Sequence, residues 1–264
     1  MNVGRDRTRV RYERRDEAAW ITMVLGDSGN PLTHELADDL LEATRQARRD
    51  NARVVVLRAE GKAFCVGGDL QTFGSTPDPG VYIDDLAEAL HRLVSELGHL
   101  DAPVVSVVQG VAAGAGFPIA MAADIVLAGR SARFTLAYTN AGLTPDGGSS
   151  LLTSTVGLHQ AMYLALMNPV LSADQAHQVG LVAEVHDDDA LDEAAERVVA
   201  RLVNGSATAL TATKRLFRDR ALPDAEAAMR RESLSVRAAA NSHDGREGVR
   251  AFLAKRAPRF QRQL

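Results

Sequence analysis

The chain has 264 residues, room for one large domain or for one domain with a helical appendage. Apolar residues make up 46% and charged residues 24%, an ordinary globular balance, and a formal net charge of −4 argues against the basic surface that nucleic-acid binding needs. The single cysteine, Cys65, excludes an intrachain disulfide and fits a reducing compartment.

The N-terminal stretch carries Arg5, Arg7, Arg9, Arg11, Arg14 and Arg15, interleaved with Asp6, Glu13, Asp16 and Glu17. Mixed signs read as a solvated arm. It contains no apolar core of signal-peptide length, and no apolar run approaches the roughly 20 residues of a membrane span. A cytoplasmic protein without membrane contact is expected. Trp20 to Leu25 alternates and reads as a strand, and Gly26 to Pro31 is a loop by turn chemistry. Thr33 then caps a helix whose apolar positions Leu36, Leu40, Leu41 and Ala47 keep helical spacing. Arg53 to Arg58 is a short apolar strand, residues 60–70 a glycine-bearing loop, and 75–80 a second loop with two prolines. A helix from Asp84 to Leu97 follows. Pro103 opens the strand Val104 to Val108, and a glycine-rich turn leads into a helix from Gly116 to Ala122. Ile125 to Leu127 is a further strand, with another at Arg133 to Leu136.

Alternating short strands and helices indicate α/β layering over residues 1–195. The remainder, 196–264, reads as a helical region, with helices expected at Leu191 to Leu202, Ala207 to Arg220, Asp224 to Ala240 and Gly245 to Lys255. The seven histidines are scattered, none paired with another His or Cys at ligand spacing, so no metal site is expected.

Two segments stand out. Gly61-Lys-Ala-Phe-Cys-Val-Gly-Gly-Asp-Leu70 follows one strand directly, and Gly110-Val-Ala-Ala-Gly-Ala-Gly-Phe-Pro-Ile119 follows another. Glycine permits close backbone approach, and a turn feeding a helix N-terminus offers free N–H groups at the positive end of the helix dipole. Neither segment completes a dinucleotide fingerprint: Ile119 stands where the third glycine belongs. Neither ends in the Gly-Lys-Ser/Thr of a phosphate loop. Either loop alone fits a close-packed turn as well as an anion-holding one; two of them, each between strand and helix, favour the second.

These two loops resemble the signatures of the crotonase (enoyl-CoA hydratase/isomerase) superfamily. The likeness continues through Met121-Ala-Ala-Asp124, Arg133-Phe134, Gly142-Leu-Thr-Pro-Asp-Gly-Gly148, Leu171 to Ala176, Gly180-Leu-Val182 and Gly248 to Arg256. The resemblance implies a spiral of ββα units with a C-terminal helical trimerisation region, assembling as a homotrimer or hexamer. It implies an acyl-CoA substrate, with coenzyme A part of the substrate and no separate cofactor. Carried over residue by residue, it assigns the two oxyanion N–H donors to Gly68 and Ala115. Lys62, Ala63, Phe64, Val66, Gly67, Asp69 and Leu70 would lie along the substrate with Gly114, and Phe252 and Lys255 would touch CoA from the last helix. Two backbone donors aimed at a thioester oxygen stabilise the enolate more than the ground state, each typically by roughly 2.7–4 kcal/mol.

Hydratases of this family use two glutamates. Pro118 and Tyr138 stand at those positions in this chain, so ordinary hydration is not expected. Asp146 is the remaining carboxylate, and its Pro-Asp-Gly-Gly string resembles that of the phenylacetate-pathway ring-epoxide isomerases and related enoyl-CoA isomerases, where this Asp is the acid/base. The same string is good turn chemistry, which would make Asp146 a surface turn residue. A free aspartate titrates at about 3.9 and needs an apolar pocket, here Phe117, Pro118 and Tyr138, to become a useful base. The reading is a double-bond isomerase; an atypical hydratase, a thioester hydrolase and a non-catalytic acyl-CoA-binding protein are the alternatives. Cys65 reads as a buried small side chain, His91 as solvent-facing, Asp69 and Asp124 as structural, and Ser149 and Ser150 as helix caps. For Tyr138 and Asn140, packing and turn roles compete with contact to the acyl group.

Overall fold

The computed structural model describes residues 9–260. The chain enters through a hairpin, β1 (Val10–Arg15) antiparallel to β2 (Ala18–Met23), turning at Asp16 in the left-handed region. Most of the expected arm is therefore an edge strand, while Arg5, Asp6 and Arg7 lie outside the described residues. The reason is period-2 alternation: Val10 and Tyr12 pack on the core, and the charges between them face water and protect the edge. Thr33 caps α1 (His34–Arg49), accepting the Leu36 N–H.

The chain then spirals, each turn adding one strand to a larger sheet and the next to a smaller one. β3 (Val54–Ala59) and β4 (Ala63–Cys65) form the first such pair, followed by α2 (Leu70–Ser75) and α3 (Pro79–Gly98). β5 (Val104–Val108) and β6 (Val111–Ala113) form the second, followed by α4 (Gly116–Met121). β7 (Ile125–Gly129) and β8 (Arg133–Thr135) form the third, followed by α5 (Thr153–Val156) and α6 (Leu158–Met167). β9 (Leu171–Ser172), α7 (Ala173–Gln178) and β10 (Glu184–His186) close the sheets. The larger sheet runs β1-β2-β3-β5-β7-β10 and the smaller β4-β6-β8-β9. The expected loops at 60–70 and 75–80 are thus partly ordered, since β4 and α2 occupy the first region and its exit, and α3 starts at Pro79 behind an Asp78 cap.

Both faces of the larger sheet are buried, which explains its uninterrupted apolar runs. Trp20, Val54, Val56, Val105, Val107 and Leu127 face α8 (Leu191–Val203) through Leu191, Ala195 and Val199. Residue 195 therefore falls inside a helix packed on the sheet. The opposite face meets α1, α3 and α4 in the main core.

α9 (Ala207–Ala221), α10 (Ala225–Asn241) and α11 (His243–Leu253) complete the chain. Buried Lys214 on α9 donates to the carbonyls of Leu97 and Ala102 and pairs with Asp124 at 2.9 Å. α10 lies on α3, and α11 sets Leu253 and Val249 over Gly74 of α2. Among the described residues, no helix is long and apolar enough to cross a membrane.

Candidate active site

β4 and β6 are parallel neighbours, so the two glycine loops leave the smaller sheet side by side. In the first, the Gly67 carbonyl accepts from Leu32 N and Asp69 N donates to the Leu32 carbonyl, at 2.7 and 3.0 Å. Strand alternation turns the intervening Gly68 N–H to the other side. In the second, Gly114 N donates to Thr135, and Ala115, the N-cap of α4, follows with a free N–H. Among the described residues, neither the Gly68 nor the Ala115 amide has an acceptor. The loops touch: a Cβ on Gly67, where φ is +100°, would lie 3.0 Å from the Ala113 carbonyl oxygen.

The other expected contact residues separate into two groups. Lys62 and Val66 are exposed beside the loop, Gly114 abuts it, and Leu70 opens α2. The side chains of Ala63 and Phe64 are core, so only their main chain can meet a ligand. Asp69 is structural, as its sequence position indicates: it caps α2 through Gln71 N, Thr72 N and the Thr72 hydroxyl. Phe252 and Lys255 are exposed at the end of α11, beside α2 rather than within the loops.

Asp146 is only 4% exposed, which excludes a surface turn. Gly147 and Gly148, both at positive φ, fold the chain tightly beneath Leu90 and Pro118. The Asp146 carbonyl accepts from the Ser149 hydroxyl at 2.6 Å and from the Tyr138 hydroxyl at 3.4 Å. Ser149 therefore ties down the turn instead of capping a helix, and Ser150 contributes main-chain groups, its N–H to Glu232 and its carbonyl to Thr153. α3 links this turn to the first glycine loop, with Leu86 over Gly68 and Leu90 over Gly147. Pro118 sits one helical turn beyond Ala115.

His91 corrects the solvent-facing expectation. It is 6% exposed, with Nε2 2.7 Å from Asp146 Oδ1 and 3.6 Å from Glu232 Oε2. The reason is long-range: α10 covers this flank of α3. Glu232, equally buried, accepts the N–H groups of Gly148 and Ser150, each at 2.7 Å. Burial works against a charged imidazole, but contact with Asp146 and Glu232 outweighs it and lifts the His91 pKa to about 9. Burial, and then the Asp146 and Glu232 charges, push the Tyr138 phenol well above its usual value.

Sequence reasoning missed Glu232. The available signal was a carboxylate on the apolar face of α10, between Met229 and Val236. Cys65 is fully buried, and burial pushes its thiol up to about 11, as a packing role requires. Asp124 is structural, holding Val104 N, Lys214 and Arg218. Asn140 receives a 3.4 Å contact from Asn168, a turn role.

His91, Asp146 and Glu232 are also the residues that could hold a metal ion, a grouping that sequence spacing does not reveal. At 2.7 Å, however, His91 and Asp146 sit closer than the about 3.3 Å separating two donors on one tetrahedral ion. Their spacing is that of an ion pair.

The family model for enoyl-CoA hydratase/isomerase matches residues 13–263. The chain is 37% identical over 238 residues to the 1,2-epoxyphenylacetyl-CoA isomerase of Escherichia coli K12, covering 88% of this chain and 90% of that one. It is 31% identical to the trans-2-decenoyl-(acyl-carrier-protein) isomerase of Streptococcus mutans, over 95% of this chain and 97% of that one. A crystal structure of an enoyl-CoA hydratase from Mycobacterium avium subsp. paratuberculosis superposes with a TM-score of 0.88 at 34% identity, covering 97% of this chain and 99% of the other.

Proposed function

The chain belongs to the enoyl-CoA hydratase/isomerase family, the crotonase superfamily, and from that membership we propose that it is an enoyl-CoA double-bond isomerase with Asp146 as its acid/base. Asp146 takes the α proton of a 3-enoyl thioester and returns it at the γ carbon. Charge moves onto the thioester oxygen meanwhile, where the Gly68 and Ala115 N–H groups stabilise it. Coenzyme A enters as part of the substrate, and no separate cofactor belongs to this reading.

One observation carries the proposal: Asp146 is a buried carboxylate whose Oδ2 accepts no hydrogen bond from any described residue, in a turn packed on the same helix, α3, that covers Gly68, one of two amides without an acceptor. Hydration needs a second free carboxylate, and both oxygens of Glu232 already accept main-chain N–H groups. The 37% identity to a 1,2-epoxyphenylacetyl-CoA isomerase supports the same choice.

The test is a side-by-side assay of a 3-enoyl-CoA and a 2-enoyl-CoA with the natural enzyme and Asp146→Asn. The proposal expects double-bond migration with the first ester and its loss, by about 10³-fold or more, in the variant, while CoA-ester affinity stays within about threefold. Water addition to the 2-enoyl ester without migration of the 3-enoyl one would establish the hydratase reading instead.

Assembly into a homotrimer or hexamer is part of the proposal. Leu158, Met162, Leu166 and Met167 on α6, with Val170 just beyond its end, each 48–68% exposed, make an apolar stripe too continuous for an unpartnered surface. A cytoplasmic location is also part of it, supported by the single buried Cys65, which leaves the chain without an intrachain disulfide.

A further inference from the structure

The acid/base carboxylate has a built environment that the proposed reaction leaves unexplained. Three groups converge on His91 Nε2: Asp146 Oδ1 at 2.7 Å, the Gly147 N–H at 3.3 Å and Glu232 Oε2 at 3.6 Å. A ring nitrogen carries a proton or a lone pair, never both. With the proton present it serves the two carboxylates; with the proton gone it can only accept from Gly147. The titratable groups facing His91 are Asp146 from the turn, Glu232 from α10 and, beyond them, the Tyr138 phenol coupled to both.

Holding a turn does not require this arrangement. An ion cluster in a dry pocket is often matched or bettered in stability by apolar side chains of similar volume. Glu232 already fixes the turn through Gly148 N and Ser150 N. What His91 adds is selective. Its Nε2 lies 2.7 Å from Oδ1, the fully buried oxygen, which has no other partner among the described residues, while Oδ2 is not approached by any of them.

We infer that His91 is a positioning residue for Asp146, bearing on Oδ1 so that Oδ2 is the oxygen presented to the substrate proton, with Glu232 as the fixed anion that keeps the imidazole between the two carboxylates. Proton transfer runs between the substrate carbon and Oδ2; His91 touches neither. The inference rests on the proposed acid/base role of Asp146.

The experiment compares natural enzyme, His91→Leu, His91→Gln and Asp146→Asn with a 3-enoyl-CoA, each over a range of pH. His91→Leu is expected to lower kcat about 30-fold or more while KM stays within about threefold, since the ester's binding groups are untouched. His91→Gln restores an N–H within reach of Oδ1 and should recover at least a third of the natural kcat. Both variants should lose the alkaline inflection of the pH profile, which a merely space-filling histidine would not supply. If His91→Leu fails to fold, His91→Gln decides alone: an unchanged inflection overturns the inference. Natural kcat and profile in His91→Leu with an inactive Asp146→Asn also overturn it, while leaving the acid/base assignment intact. An active Asp146→Asn removes both, because nothing remains to be positioned.

Discussion

The α-carbons of Gly67 and Gly114 back directly onto each other: a Cβ added to either would lie 3.4 Å from the other's Cα. The two loops that carry the Gly68 and Ala115 amides therefore meet main chain to main chain, and a Cβ on Gly67, 3.0 Å from the Ala113 carbonyl oxygen, would press them apart. Gly67 also has φ of +100°. Gly67→Ala should destabilise the fold by about 1–3 kcal/mol through strain and lower kcat by at least about tenfold. Gly114, at φ +51°, lies where asparagine is tolerated, so Gly114→Asn should be milder than Gly114→Val. Denaturant titration and steady-state kinetics of the three variants check this ordering.

The His91 contacts predict a pH-dependent stability. Its pKa rises from 6.5 to about 9 in the folded chain, so its contribution is fully present below pH 6.5 and is lost as pH climbs through about 9. Urea unfolding at intervals across that window should show stability falling by up to a few kcal/mol. His91→Gln should flatten that part of the curve. A natural enzyme equally stable at pH 6 and pH 9.5 would contradict the buried imidazolium.

Lys214 tests the attachment of the helical region. Its ammonium satisfies the Leu97 and Ala102 carbonyls and Asp124 from a buried position, although burial lowers its pKa against the pull of Asp124. Lys214→Met should destabilise by about 3 kcal/mol, the low end for breaking a buried pair because Arg218 still holds Asp124. Turnover per folded molecule should be unchanged, which separates this effect from one at the site.

The apolar stripe on α6 predicts an assembly that one charge can weaken. Leu166 is 61% exposed, and Leu166→Glu would bury a carboxylate in any contact formed there. Sedimentation at micromolar concentration should report a trimer or hexamer for the natural chain and a shift toward monomer for the variant. A natural chain sedimenting as a monomer would rule out the assembly.

Local chemistry was the legible part of this fold. Thr33 announces itself as a cap, and Asp69 as a residue fixing its loop, because the interaction lies within three residues, and the strands at Val54 and Val104 because both faces are buried. β4 and β6 hold three residues each, too few to display alternation. β1 was obscured by its charges, which belong to an edge. The two glycine loops stood out by their glycines between strand and helix, but their roles, and Asp146, came from motif resemblance. His91 could not be read, because it flanks the Leu86, Leu90, Leu93 and Leu97 ridge of α3 and is buried only by a helix some 140 residues further on. Glu232 was readable in principle, as an acidic residue where α10 is otherwise apolar.

The carboxylate of Glu232 reaches Gly148 from 84 residues downstream, and this bears on how the protein is made. A ribosome that has released the first two hundred residues has already delivered both glycine loops, Asp146 and His91. The clasp on the Asp146 turn is still missing from that nascent chain. Those bonds arrive only with α10, so a polypeptide stopped short of it holds the Asp146 turn with two main-chain N–H groups left unpartnered.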